Sequence, residues 1–148
     1  MAIFRFKLRT LHRLKAQLED QAKNRLGLAN ARLNAEIQKL DRIKEAIFAT
    51  VGEFRRVSGG RFTAGRIKEF NYFIATMKER AAEQQKAVEE ARKDVERARE
   101  ALILAARQRE MYDKLRARAF ALHMEEERRA EYRATDELVS YRGNKMYS

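Results

Sequence analysis

The chain has no cysteine, no proline and no tryptophan, and only six glycines among 148 residues. Without cysteine there is no disulfide framework, no thiolate metal site and no cysteine nucleophile. Average usage would give about seven prolines. A chain this poor in turn residues does not readily make the many turns of a β-sandwich, a barrel or a doubly wound sheet. Its two histidines, His12 and His123, exclude a histidine-rich metal site within one chain. No apolar run approaches the roughly 18 residues that span a bilayer. The opening, Ile3-Phe4-Arg5-Phe6-Lys7-Leu8-Arg9, interleaves charge with apolar residues and so lacks the core of a signal peptide. It is acid-free as far as Glu19, as a transit peptide would be, but poor in serine. The expectation is a soluble, cytoplasmic protein. No phosphate-binding glycine loop, nucleophile elbow or isolated carboxylate pair occurs, so no catalytic residue, cofactor or metal is expected and the chain reads as a non-enzyme.

What remains is a few long helices. Charged residues make up 37 % of the chain and apolar ones 45 %, with a formal net charge of +11. Glycine and serine cluster once, at Ser58-Gly59-Gly60. Adjacent glycines permit φ > 0 and weaken a helix, Thr63 is a good N-cap, and Phe62 and Ile67 stand at the positions of a hydrophobic staple. This predicts an all-α fold, an antiparallel two-helix coiled-coil hairpin with a longer second helix. A single hairpin over 1–148 is expected, with helix one at about 5–57, a turn at 58–62, helix two at about 63–140 and a frayed tail at 141–148.

The seam is legible as heptads. Ile67, Phe70, Ile74, Met77, Ala81, Gln84, Val88, Ala91, Val95, Ala98, Leu102 and Ala105 alternate steps of three and four, and Leu26, Leu33, Leu40, Ile47 and Phe54 form the matching row with Ala22, Ala29 and Ile43 beside it. Glu36 and Thr50 are its weak points. Antiparallel helices joined by a short turn pair residues whose numbers have a constant total, and 117 fits a centre between Ser58 and Gly59. Near the termini the apolar row moves to Leu11, Leu14 and Leu18 and to Met111, Leu115 and Leu122, which predicts a stutter that unwinds the supercoil. Helix two then outruns its partner beyond about residue 114, by roughly 40 Å on a hairpin about 80 Å long.

Charge is uneven. Residues 1–15 carry Arg5, Lys7, Arg9, Arg13 and Lys15 with no acid, and residues 107–118 carry Arg107, Arg109, Lys114, Arg116 and Arg118 against Glu110 and Asp113. The hairpin brings these segments together, so a basic open end for an acidic partner surface is expected. No sequence-reading nucleic-acid motif accompanies it. Tyr72 and Phe73 exceed what the seam requires and suggest a contact surface. His123 and Glu127 read as an ordinary surface pair, and Glu125 to Arg129 as a solvated face.

The chain resembles the flagellar export protein family FliJ. Phe4-Arg5-Phe6-Lys7-Leu8 with Leu11 is similar to the family's opening, and Phe70-Asn71-Tyr72-Phe73-Ile74-Ala75-Thr76-Met77 to its aromatic-x-x-Phe-Ile-x-x-Leu stretch. Lys114-Leu115-Arg116 and Asp136-Glu137-Leu138 resemble its C-terminal pattern. The resemblance implies a type III export component at the inner-membrane export apparatus, similar to the stalk subunit of rotary ATPases. Implied partners are the export ATPase hexamer, the cytoplasmic domain of the export gate and export chaperones, with membrane association only through protein partners. The implied ring-facing residues are Arg5, Lys7, Arg9, Arg13, Arg109, Lys114, Arg116 and Arg118. The implied gate-facing residues are Tyr72, Phe73, Met77, Arg80 and Gln84. The alternative is a basic coiled-coil scaffold or a nucleic-acid or membrane-surface binder.

Overall fold

The computed structural model describes residues 3–59 and 61–147. It consists of two helices, α1 (Arg9–Ser58, 50 residues) and α2 (Ala64–Tyr147, 84 residues), packed as an antiparallel helical hairpin whose second helix is the longer. Between them Gly59 has φ +47°, the left-handed region that stops α1. Thr63 Oγ1 accepts a hydrogen bond from the Arg66 backbone N–H at 3.3 Å, which caps α2. Gly60, expected in the turn, lies outside the described residues. A Cβ on Gly59 meets nothing within 4 Å, so Gly59→Ala costs only backbone strain, about 1 kcal/mol. Gly27, in mid-helix with the same open surroundings, has the opposite sign. Gly27→Ala is expected to stabilise by about 1 kcal/mol. Thermal melts of the two variants should move in opposite directions.

The helix bounds differ from expectation at both ends. α1 starts at Arg9 rather than near residue 5, because residues 3–8 do another job. Phe4, Phe6 and Leu8 are half-buried while Ile3, Arg5 and Lys7 are exposed, the period-two alternation of an extended segment. A helix would have splayed those three apolar residues around its axis. The Arg9 amide closes the segment onto the Phe6 carbonyl at 3.1 Å. At the other end α2 continues through Gly143 to Tyr147, where a frayed tail from 141 was the expectation. One turn apart, Arg129 pairs with Glu125 at 2.9 Å and Thr135 Oγ1 donates to the Glu131 carbonyl at 2.9 Å before this stretch, and Lys145 lies over the Tyr141 ring at 5.6 Å within it.

The chain divides into two units, Gln21–Leu102 and Met1–Asp20 with Ile103–Ser148. The first holds the apolar core. Ala22, Leu40, Val88, Ala91 and Val95 are buried, and Val88 is 1 % exposed. Phe54 stacks on Phe70 with ring centroids 4.1 Å apart, and Phe62 stacks on Phe54 at 4.8 Å. Pairing Phe54 with Phe70 gives a constant total of 124, one heptad above the expected 117. The cause is the turn. The connection from Ser58 to Ala64 centres near Arg61, not between Ser58 and Gly59, and heptad spacing permits only a shift of seven.

In the second unit the expected stutter is absent from the described residues. The heptad runs on through His12, Lys15 and Glu19 on α1, with Leu8 just before it, and through Arg109, Tyr112, Ala119 and His123 on α2, all at least half-buried, with Arg116 the exposed position of that row. Leu11, Leu14, Leu18, Met111, Leu115 and Leu122, expected to take over the seam, are exposed instead. Polar residues hold it because they satisfy one another. Lys15 Nζ donates to Gln108 Oε1 at 3.2 Å, His12 Nε2 lies 2.5 Å from Asp113 Oδ1, and the Arg109 guanidinium bridges Glu19 and Asp113. Glu19 is only 7 % exposed. Its burial is tolerated because that guanidinium pairs it. An unbroken period of 3.5 also spares the helices a local unwinding.

Candidate functional site

Two groups of residues stand out, one in each unit. In Gln21–Leu102, Tyr72 is 77 % exposed and Phe73 and Arg80 also face solvent, whereas Met77 and Gln84 are half-buried seam residues. Thr76 Oγ1 donates to the Tyr72 carbonyl at 2.9 Å. Gln84 Nε2 donates to the Glu36 backbone carbonyl at 2.9 Å and to the Glu36 carboxylate, across the seam. Of the expected gate-facing set, Tyr72, Phe73 and Arg80 lie on the surface, and Gln84 bonds across the seam to Glu36.

The Gln84 amide holds the Glu36 carboxyl below the usual glutamate value of 4.5, with Lys39 and Arg32 adding to the effect. A depressed value in the folded chain means stabilisation that is present above pH 4.5 and is lost as pH falls through the folded value. Thermal melts between pH 3 and 7 should therefore show an acid-side loss that Gln84→Leu diminishes. An unchanged pH profile in that variant would show that the pair contributes nothing.

The second unit carries the basic group. Arg5, Lys7, Arg9, Arg13, Lys114, Arg116 and Arg118 are exposed, and none takes part in the ion pairs of the described residues. Phe4 fixes the extended segment to α2. Its ring meets Phe120 edge-on at 5.1 Å and His123 at 5.4 Å, and Arg116 lies over it at 6.0 Å. Phe6 meets His12 edge-on at 6.0 Å. Phe4, Arg5, Phe6, Arg9 and Arg116 together line an open concavity of about 560 Å³. Arg109 differs from the others. Its hydrogen bond to Glu19, helped by the nearby Asp113 and Glu110 charges, raises its pKa above that of an ordinary arginine. It sits in the seam network rather than on the open surface.

A profile of the family described as flagellar FliJ protein matches residues 4–146, nearly the whole chain. The chain belongs to the FliJ family. As a member it is a component of flagellar protein export. No curated protein and no solved structure matches it.

For this FliJ family chain several features were not foreseen from the sequence. Phe48 on α1 is 82 % exposed, a surface aromatic in the same unit as Tyr72. Phe120 and His123, spaced one turn apart, form the seat for Phe4, and that spacing was the signal available for them. The expected pair of His123 and Glu127 is present, Nε2 to Oε1 at 3.5 Å, but it is half-buried rather than on the open surface, and that oxygen is buried without a hydrogen bond. Among the described residues no group of three or more His, Cys, Asp or Glu is arranged to hold a metal ion.

Proposed function

We propose that this chain is the non-enzymatic stalk of the flagellar export ATPase. Its basic terminal unit docks in the ATPase hexamer and promotes assembly of the ring. Tyr72, Phe73 and Arg80 contact the cytoplasmic domain of the export gate, with Met77 and Gln84 supporting that surface from the seam, and the chain also receives export chaperones. It reaches the inner-membrane export apparatus through these partners. Among the described residues no helix is long and apolar enough to cross a membrane.

The observation that carries the reading is the set of seven exposed arginines and lysines in one unit, outside the ion pairs that absorb Arg109, in a chain of the FliJ family. Like charges held together repel, and an acidic surface relieves that repulsion while steering encounter. Arg109 has a positioning role here, since it ties α2 to Glu19 on α1 and so fixes where Lys114, Arg116 and Arg118 emerge.

The test is to add the chain to the export ATPase of the same organism and measure hexamer formation and ATP hydrolysis. Stimulation of both, weakened by salt, is the expected result. Absence of stimulation together with absence of co-elution at low salt removes the proposal.

A further inference from the structure

The terminal unit is built inside out. Its seam is largely polar, and its leucines from Leu11 onward lie outside. Leu11, Leu14 and Leu18 on α1 and Met111, Leu115 and Leu122 on α2 are each between 36 and 60 % exposed. Spacings of three, four and seven place each set along one stripe of its helix. The two stripes also fall on the same side of the seam. Leu11, Leu18, Leu115 and Leu122 each immediately precede the residue at the heptad's opening position, which is His12, Glu19, the exposed Arg116 and His123. In the other unit, residues of this kind meet across the helices. Glu53 and Arg66, which precede Phe54 and Ile67, line one groove. Arg32 and Asp94, which precede Leu33 and Val95, are 3.8 Å apart. The six apolar residues therefore form one face of two parallel rows.

The border of that face is basic. Arg118 continues the row of Met111 at one heptad's distance, and Lys7 is exposed in the segment that leads into α1. Arg13 and Lys114 adjoin Leu14 and Leu115 in sequence and Glu110 adjoins Met111, while the acids Asp20 and Glu125 lie past Leu18 and Leu122 at the ends of the face. A solvated apolar face of this extent marks an interaction surface. We propose that it receives an amphipathic helix of a partner protein, apolar toward the leucines and acidic along its edges. The docked helix makes a three-helix layer of a unit that by itself buries no apolar side chain among its described residues.

A helix suits the face better than a lipid surface does. Gln108, which heads the α2 row, is hydrogen-bonded at 3.2 Å to Lys15 in the seam, and this polar pair would meet hydrocarbon in a membrane. A helix can offer them a polar side chain. From Met111 to Leu122 the α2 row spans about 17 Å, so an occupant of about 12 residues or more covers it. Recognition follows the helix-in-groove mode, with anchors spaced three, four and seven apart.

The inference does not depend on docking to the ATPase ring, because it is measured on the free chain. The probe is an 18-residue helical peptide with leucines at spacings of three and four and glutamates on both flanks, titrated into the full chain by fluorescence anisotropy. Saturable binding is expected, weakened about tenfold when lysines replace the glutamates. It should be lost in Leu14→Gln/Met111→Gln, both exposed positions whose change leaves the circular dichroism spectrum intact. If that variant loses helicity, Leu11→Gln/Leu115→Gln serves the same purpose. No binding, binding indifferent to flank charge, or binding unaffected by either double variant overturns the proposal. Equal affinity for phosphatidylglycerol-containing vesicles overturns it in favour of a membrane, and a doubling of solution mass that Leu14→Gln/Met111→Gln abolishes overturns it in favour of a second copy of the chain.

Discussion

Val88→Asp abolishes the cooperative melt of the Gln21–Leu102 unit. Val88 is the most deeply buried side chain described, and it sits at a seam position flanked one turn either way by Gln84 and Ala91. A carboxylate there loses its water and gains no cation. The expected cost exceeds about 4 kcal/mol, a large share of the 5–15 kcal/mol that holds an ordinary domain together. Leu40→Ala supplies the graded comparison. It removes apolar contact and leaves a cavity, for about 2–5 kcal/mol. Leu28→Asp, at an exposed position of α1, is the control and should melt as the parent does. The measurement is helicity by circular dichroism against temperature. A Val88→Asp chain that melts like the control would mean that the seam is not where the stability lies.

Reversal of Arg5, Lys7, Arg9 and Arg13 to glutamate slows association with the export ATPase by roughly 100- to 1000-fold at low salt, if charge guides the terminal unit into the ring. The fold should survive. Arg5 and Lys7 precede α1, and all four side chains are exposed and outside the ion pairs described. Two of the changes place acids in or near the first turn of α1, which has none, where they favour the helix. Stopped-flow mixing across a salt series separates the parts of the effect. The parent rate should fall steeply with salt and the reversed chain's rate should hardly move. Equal rates at low salt would sink electrostatic docking.

Much of this was legible in the amino-acid order. Missing prolines and cysteines, one glycine pair and a heptad from Ile67 to Ala105 that is apolar at every position but Gln84 leave little but a helical hairpin. Thr63 announces the cap that the structure gives it. The candidate surfaces were legible in part. Tyr72, Phe73 and Arg80 stand out as residues that the seam does not need, and the terminal excess of arginine and lysine is plain from counting. Arg109, Met77 and Gln84 show where counting stops, because a charge or an amide does not declare whether a partner across the seam already holds it.

The terminal unit shows the same limit more sharply. Leucines at 11, 14 and 18 read as a seam, since burial of apolar surface is the default in helix pairing. The seam went instead to His12, Lys15 and Glu19, because Asp113, Gln108 and Arg109 stand opposite in matching register. Local order alone therefore determined the helices, their cap and the period of their contact, all of which depend on residues within a turn or two of one another. Which heptads face each other, which charges are spoken for and which leucines are left to solvent were decided only by tertiary pairing, because each depends on residues about a hundred positions apart in the chain.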